Sequence, residues 1–381
     1  MVAQVSSPQC GSSSSSSGPT NNMVPMVVNG GPVNNGFNEA FVSVTVCAPG
    51  SSTTCQTIDG IVVDTGSEGL RIASSALRIA LPQQTNAAGA SIVQCLPFLD
   101  GVTWGPVRTA DVKIAGEQAS AIPIQVVGAD QFVVPTSCSS QGAPEETPED
   151  LGANGILGVG QFDTDCGPAC TIAGASNPGL YYACTSATAC QVTTQPNANQ
   201  VINPVASFAS DNNGVVIQLP SVPVGGQASV TGTLLFGIGT QSNNGLGSAR
   251  VFTVDASGNM RTTFNSVTYP AFIDSGSNGI FFLDTPTTGL PACQISLGFY
   301  CPPTLRAFSA TTVGINNTSA VVPFNAGNVD AINLTFSAMS EATGSNPGGF
   351  DWGLPFFYGR SVFTAIAGRS TPGGIGPYWA Y

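Results

Sequence analysis

Apolar and polar residues alternate along much of this chain with the period of two that belongs to strands. From Phe37 onward the pattern is clean: Ala40, Val42, Val44 and Val46 fall on one face of a strand. A second strand runs through Ile58, Ile61, Val62 and Val63 into Asp64, with the loop between Cys47 and Cys55 as the hairpin connection. Val112 and Ile114, then Ile122, Ile124 and Val126, lie either side of a turn at Ala115-Gly116, and Leu234-Leu235-Phe236 ends at Gly237. Helical periodicity is scarce, and short helices are expected only at Ser74–Ala80 and Ser361–Ala367.

Residues 1–36 break the alternation. They hold no Lys, Arg, Asp or Glu and are mostly Ser, Gly, Asn and Pro, the composition of a flexible tether. Further on, Asp211-Asn212-Asn213-Gly214 is a turn cluster between two apolar stretches. A chain of 381 residues is too long for one ordinary core. The expected organisation is therefore a tether over 1–36, an N-terminal lobe over 37–211 and a C-terminal lobe over 212–381.

Composition sharpens the fold class. Charged residues are only 8% of the chain, which leaves little to build amphipathic helices, whereas 46 Gly and 28 Pro supply turns. An all-β protein is expected. The net charge of −12, with Lys113 the single lysine, offers phosphates no basic footprint, so no nucleic-acid partner is expected. The absence of histidine removes Ser-His-Asp and Cys-His nucleophilic systems and histidine-ligated zinc or iron. Hydrolytic chemistry here must run on carboxylates, a lysine or a bound hard metal. Neither a metal site nor a cofactor is expected.

Eleven cysteines in a chain this poor in Lys and Glu suggest an oxidising compartment. Cys47 with Cys55 and Cys293 with Cys301 read as disulfides closing small loops, and Cys95 with Cys138 as a longer one. Cys166, Cys170, Cys184 and Cys190 are open to sequential or nested pairing. Cys10 is left over, ahead of a Gly-Ser run at residues 11–18, as a lipid-anchored cysteine with a polar tether would be. Residues 1–9 nevertheless hold no basic start and no apolar stretch, so no signal peptide is legible in them.

The most informative feature is an internal repeat. Ile61-Val62-Val63-Asp64-Thr65-Gly66-Ser67-Glu68-Gly69-Leu70 is matched by Ala271-Phe272-Ile273-Asp274-Ser275-Gly276-Ser277-Asn278-Gly279-Ile280. Each is an apolar strand that stops at Asp, turns through Gly and resumes apolar. An apolar-Gly element follows each copy: Gly155-Ile156-Leu157-Gly158, then Trp352-Gly353-Leu354. Two half-chains with the same order of elements imply duplication about a pseudo-two-fold axis. If the copies meet there, Asp64 and Asp274 are neighbours that cannot both ionise readily, so the pair holds one proton and titrates as a unit. One carboxylate then takes a proton from water while the other donates one to a carbonyl oxygen. A lone Asp-Thr-Gly is commonly only a turn, and it is the duplication that argues for chemistry. A glycosidase also needs two acids, but not the Ser/Thr-Gly sequel or duplicated loops.

On these motifs the chain resembles the pepsin-like aspartic peptidases over most of residues 37–381. The resemblance implies a bilobal all-β fold with Asp64 and Asp274 as the catalytic pair. Thr65 and Ser275 would cross-brace the loops, Gly66 and Gly276 would form their turns, and Ser67 and Ser277 would bond the outer carboxylate oxygens. Ile156-Leu157-Gly158 would cross beneath the first loop. In the narrower sense the chain looks like a bacterial group of uncharacterised exported proteins that carry Asp-Thr-Gly-Ser-Glu-Gly-Leu-Arg after a Ser/Gly-rich tether. This implies an exported peptidase (secreted, periplasmic or an outer-membrane lipoprotein), monomeric and acting on peptide or protein substrates. The alternative is a binding or inhibitor-like protein on the same fold. Three departures stand out. The substrate-covering hairpin, about Gln94 to Val107, has no tyrosine, which leaves Phe98 or Trp104 for its place. Asp351 is acidic where the second crossing element is expected to be apolar. Arg71 follows the first loop, where a surface position is expected.

Overall fold

The computed structural model describes residues 21–129, 131–331 and 335–381. Strands dominate, and the helices among the described residues are single turns of α or 3-10 type. The alternation seen in the sequence becomes burial, with Ala40, Val42, Val44 and Val46 all turned into the core. Strand Ala40–Cys47 pairs antiparallel with Cys55–Asp64, closed at Cys47–Cys55. Gly101–Ile114 pairs with Glu117–Val127 about the expected turn.

Both repeats produce the same local topology. Strand Gly155–Val159 inserts between Cys55–Asp64, which it meets parallel, and Glu68–Ala73, which it meets antiparallel. In the second half Asn346–Trp352 inserts between Val267–Ile273 (parallel) and Ile280–Leu283 (antiparallel). A strand threaded through the middle of such a loop is buried on both faces, which explains its apolar runs. Its glycines have a steric reason. A Cβ on Gly158 would lie 2.6 Å from the Glu68 carbonyl carbon, and one on Gly353 would lie 2.1 Å from the Gly279 oxygen. The first half packs mainly aliphatic side chains. The second packs a run of rings including Phe264, Phe282, Phe308, Phe324 and Phe350 around Trp352, whose indole N–H donates to Thr262 Oγ1 at 3.0 Å.

Three expectations need correction. Residues 23–28, assigned to the tether, form a strand, Met23–Val28. Its Met26 and Val28 are buried, all six residues pair with Val230–Phe236, and Val27 and Val28 also pair with Phe41 and Ala40. The short apolar run outweighs its charge-free surroundings because it carries the sheet from one half of the chain into the other. The rest of the tether up to residue 20, with Cys10, lies outside the described residues. The helix expected at Ser361–Ala367 is strand Arg360–Ala365, paired with Gly214–Leu219. Val362, Phe363 and Thr364 are β-branched or aromatic, and all three are buried in that sheet. Ser74–Ala80 yields only a 3-10 turn at Ser74–Ala76, with Leu77 already extended. Leu77 and Ile79 stand two apart, the spacing of a strand, and a segment this short cannot by itself meet the cost of helix nucleation.

Five disulfides form: Cys47–Cys55, Cys95–Cys138, Cys166–Cys170, Cys184–Cys190 and Cys293–Cys301. The four cysteines left open in the sequence pair sequentially. No helix among the described residues is long and apolar enough to cross a membrane.

Candidate active site

The two Asp loops meet tip to tip. Thr65 Oγ1 donates to the Ile273 carbonyl (3.3 Å) and accepts from the Ser275 N–H (2.9 Å). Reciprocally, Ser275 Oγ donates to the Val63 carbonyl (2.7 Å) and accepts from the Thr65 N–H (3.1 Å). Thr65 and Ser275 are 2% and 0% exposed, so these four bonds are made out of water, where losing one partner is costly. They lock the halves in one register and set each carboxyl group against the glycine of the opposite loop.

Each carboxyl is held in the same way. Asp64 Oδ1 accepts from the Gly66 N–H (2.7 Å), and Asp274 Oδ1 from the Gly276 N–H (2.8 Å). The outer oxygens take the serines: Ser67 Oγ donates to Asp64 Oδ2, and Ser277 Oγ lies 2.9 Å from Asp274 Oδ2. The glycines also make room across the interface. A Cβ on Gly66 would sit 2.6 Å from Asp274 Cγ, and one on Gly276 would sit 2.7 Å from Asp64 Oδ1. Burial, followed by the negative charges of Asp64 and Asp351, holds Asp274 well above the usual carboxylate range. Such a pair keeps a proton that an isolated aspartate would have lost.

The pair opens on a cleft of about 1040 Å³. Nine of the residues lining it are Asp or Glu, and none is Lys or Arg. Burial pushes Glu68 up to about 8, partly offset by the hydrogen bond it accepts from the Phe162 N–H. Glu39 and Glu145 rise to about 8 as well, by burial first and then by the neighbouring Asp100.

Hairpin Ser91–Pro97 with Gly101–Ile114 overhangs the cleft, its tip closed by a bond from the Phe98 N–H to the Gly101 carbonyl (2.7 Å). Phe98 lines the cleft, whereas Trp104 does not. Trp104 pairs across the hairpin with Cys95 and packs edge-on to Tyr182 beside Cys95–Cys138, and its indole N–H is used by the Phe132 carbonyl. The alternation of the strand decides this: its position faces away from the groove.

Arg71 is not at the surface. It is 0% exposed, pairs with Asp165 at 2.9 Å and donates to the Glu68 carbonyl at 2.7 Å. Gln94 and Tyr181 donate to Asp165 too, so the acid of this ion pair is well hydrogen-bonded behind the first loop. Sequence reasoning missed Asp165, Glu68 and Asn38. Asn38 donates to the Asn278 and Met339 carbonyls (both 2.8 Å) and accepts from Tyr358 Oη, tying the second loop to the first half. Nothing in local sequence marks an asparagine as such a bridge.

The comparisons with known proteins bear on the fold. Residues 18–381 match the family described as "Protein of unknown function (DUF3443)", and the chain belongs to that family. No curated protein matches it. Among solved structures, the aspartic proteinase from Irpex lacteus superposes with a TM-score of 0.55 at 16% identity, covering 94% of this chain and 96% of that one. At that identity the likeness is one of fold. The chain has the bilobal pepsin-like fold.

Proposed function

We propose that this family member is an aspartic endopeptidase, in which lobes 37–211 and 212–381 each contribute one aspartate to a shared water-activating pair. The observation that carries the reading is the reciprocal bonding of Thr65 and Ser275, which sets Asp64 and Asp274 against each other with a glycine N–H and a serine hydroxyl on each. One carboxyl removes a proton from water as it attacks a peptide carbonyl, and the other gives its proton to the carbonyl oxygen. The proton that the amine leaving group needs returns through the same pair. An extended peptide would lie in the cleft beneath Phe98. Five disulfides support an exported protein working in an oxidising compartment.

A second reading is a pepsin-fold binding protein without turnover. It is favoured by one observation: the hairpin brings no hydrogen-bonding aromatic to the cleft, since Trp104 is turned away and Phe98 has no polar side-chain atom. Cleavage of an unfolded protein substrate across about pH 3–7, with Asp64→Asn and Asp274→Asn beside the wild type, separates the two. The peptidase reading expects cleavage by the wild type that both variants lose while remaining folded. Well-folded wild type that cleaves nothing at any pH supports the binder instead.

A further inference from the structure

Ser277 has more acceptors than it has protons. Its hydroxyl oxygen lies 2.9 Å from Asp274 Oδ2 and 2.6 Å from Asp351 Oδ2, both within hydrogen-bonding distance. A serine hydroxyl carries one hydrogen, so it can donate to only one of the two carboxyls. The other contact holds only if that carboxyl brings a proton of its own and donates it to the serine oxygen.

Asp351 is the group whose surroundings demand the proton. It is 0% exposed, and its second oxygen, Oδ1, has no hydrogen-bond partner. A buried carboxylate with one oxygen unbonded and no cation beside it is the costliest form of an aspartate. In register, Asp351 stands between Phe272 on one neighbouring strand and Phe281 on the other. The strand Val267–Ile273 carries one titratable group, Tyr269, on the alternate face against Phe350. Ile280–Leu283 carries none. The charged groups that bear on Asp351 are therefore Asp64 and Asp274, both acidic, and no Lys or Arg lines the cleft. Asp274, by contrast, has the Gly276 N–H to satisfy its inner oxygen.

The geometry points to Asp351 as a protonated positioning residue: its carboxyl O–H donates to Ser277 Oγ and so aims the single Ser277 proton at the outer oxygen of Asp274. The inference rests on the peptidase reading for its consequence, but not for the titration that tests it. A hydroxyl that accepts a hydrogen bond donates a stronger one, so the neutral acid reinforces the Ser277 bond to Asp274. Burial first, with the charge of Asp64 adding and the Ser277 bond partly offsetting, holds Asp351 at about 8. As pH rises through that value, Asp351 becomes an acceptor, the Ser277 proton turns toward it, and Asp274 loses its outer bond.

The test follows aspartate carboxyl carbons by NMR in protein labelled with ¹³C at those carbons, from about pH 4 to pH 10. It compares wild type with Asp351→Asn and with Asp351→Ile, which supplies the side chain that the first half has at Ile156. The wild type should show one carboxyl titrating near 8, with a second aspartate, assigned through Asp274→Asn, shifting in the same step. Both Asp351 variants should lack that step. The amide introduced by Asp351→Asn can still donate to Ser277 without titrating. Cleavage by Asp351→Asn should therefore stay within about threefold at pH 5 and lose less on going to pH 9 than the wild type. Asp351→Ile should lower kcat about tenfold with KM unchanged. An Asp351 carbon already ionised at pH 5 overturns the inference, as do equal, measurable rates of cleavage by the Asn and Ile variants. If no protein cleaves but the carbon titrates high with its partner shift, the relay stands and the peptidase reading is what falls.

Discussion

The two Asp loops are alike where they touch and unlike where they are anchored. From the aspartates inward, Thr65 answers Ser275, Gly66 answers Gly276 and Ser67 answers Ser277. Behind them the pattern inverts. At the crossing strand, Ile156 in the first half corresponds to Asp351 in the second, and the residues opposite them in register are Arg71 and Phe281. The first half buries a cation and neutralises it with Asp165. The second buries an acid and supplies no cation, so the acid keeps its proton. Duplication thus preserves the geometry of the paired loops, while the two halves differ in the buried charge that stands behind it.

The largest effect should come from what the loops share. Gly66→Ala or Gly276→Ala places a methyl group 2.6–2.7 Å from the opposite carboxyl and must push the pair apart. Misplacement on the order of 1 Å can cost about 10²-fold, so kcat/KM should fall by at least that in both variants. A loss in only one would break the symmetry of the dyad.

Next comes the anchoring of the first half. Arg71→Met strands Asp165 as an unpaired buried charge and should destabilise the fold by about 3–5 kcal/mol in denaturant unfolding. Asp351→Asn should cost far less, because it removes no charge at neutral pH.

The third effect separates the halves by pH. Folded-state values raised to about 8 at Glu39, Glu68 and Asp351 mean that the native chain binds more protons than the unfolded one between about pH 4 and pH 8. Stability contributed by these groups is complete below the unfolded values and is lost as pH rises through the folded ones. The melting temperature should therefore decline from pH 4 to pH 8. Glu68→Gln and Asp351→Asn should each flatten that decline, and a melting temperature that climbs over the range would contradict the assignment of these acids as neutral.

The smallest effect concerns the hairpin. Phe98→Ala should raise KM a fewfold with little change in stability, since Phe98 lines the cleft and is only partly buried. Trp104→Ala should do the reverse, destabilising by about 3–5 kcal/mol with activity per folded molecule retained.

The repeat makes the dyad, its bracing residues and the crossing strands legible, because each depends on residues adjacent in sequence. What the sequence conceals depends on contacts between distant segments. Arg71 reads as a surface residue until Asp165, 94 positions later, folds behind it. Asn38 reaches across 240 and 301 positions to its acceptors. Trp104 is legible as part of the hairpin, but which face it takes is set by pairing with Cys95 and the disulfide to Cys138. Met23–Val28 is a strand because Val230–Phe236, and at its end Ala40 and Phe41, offer it partners.

The central claim, that the two halves act as one proton-sharing unit, is tested most directly by a mutant cycle on cleavage. Asp64→Asn, Asp274→Asn and the double variant should lose the same activity within about threefold, because either aspartate alone has no partner. Losses that multiply, with the double variant far below either single one, would mean that the two carboxyls work independently and that the dyad is not the catalytic unit.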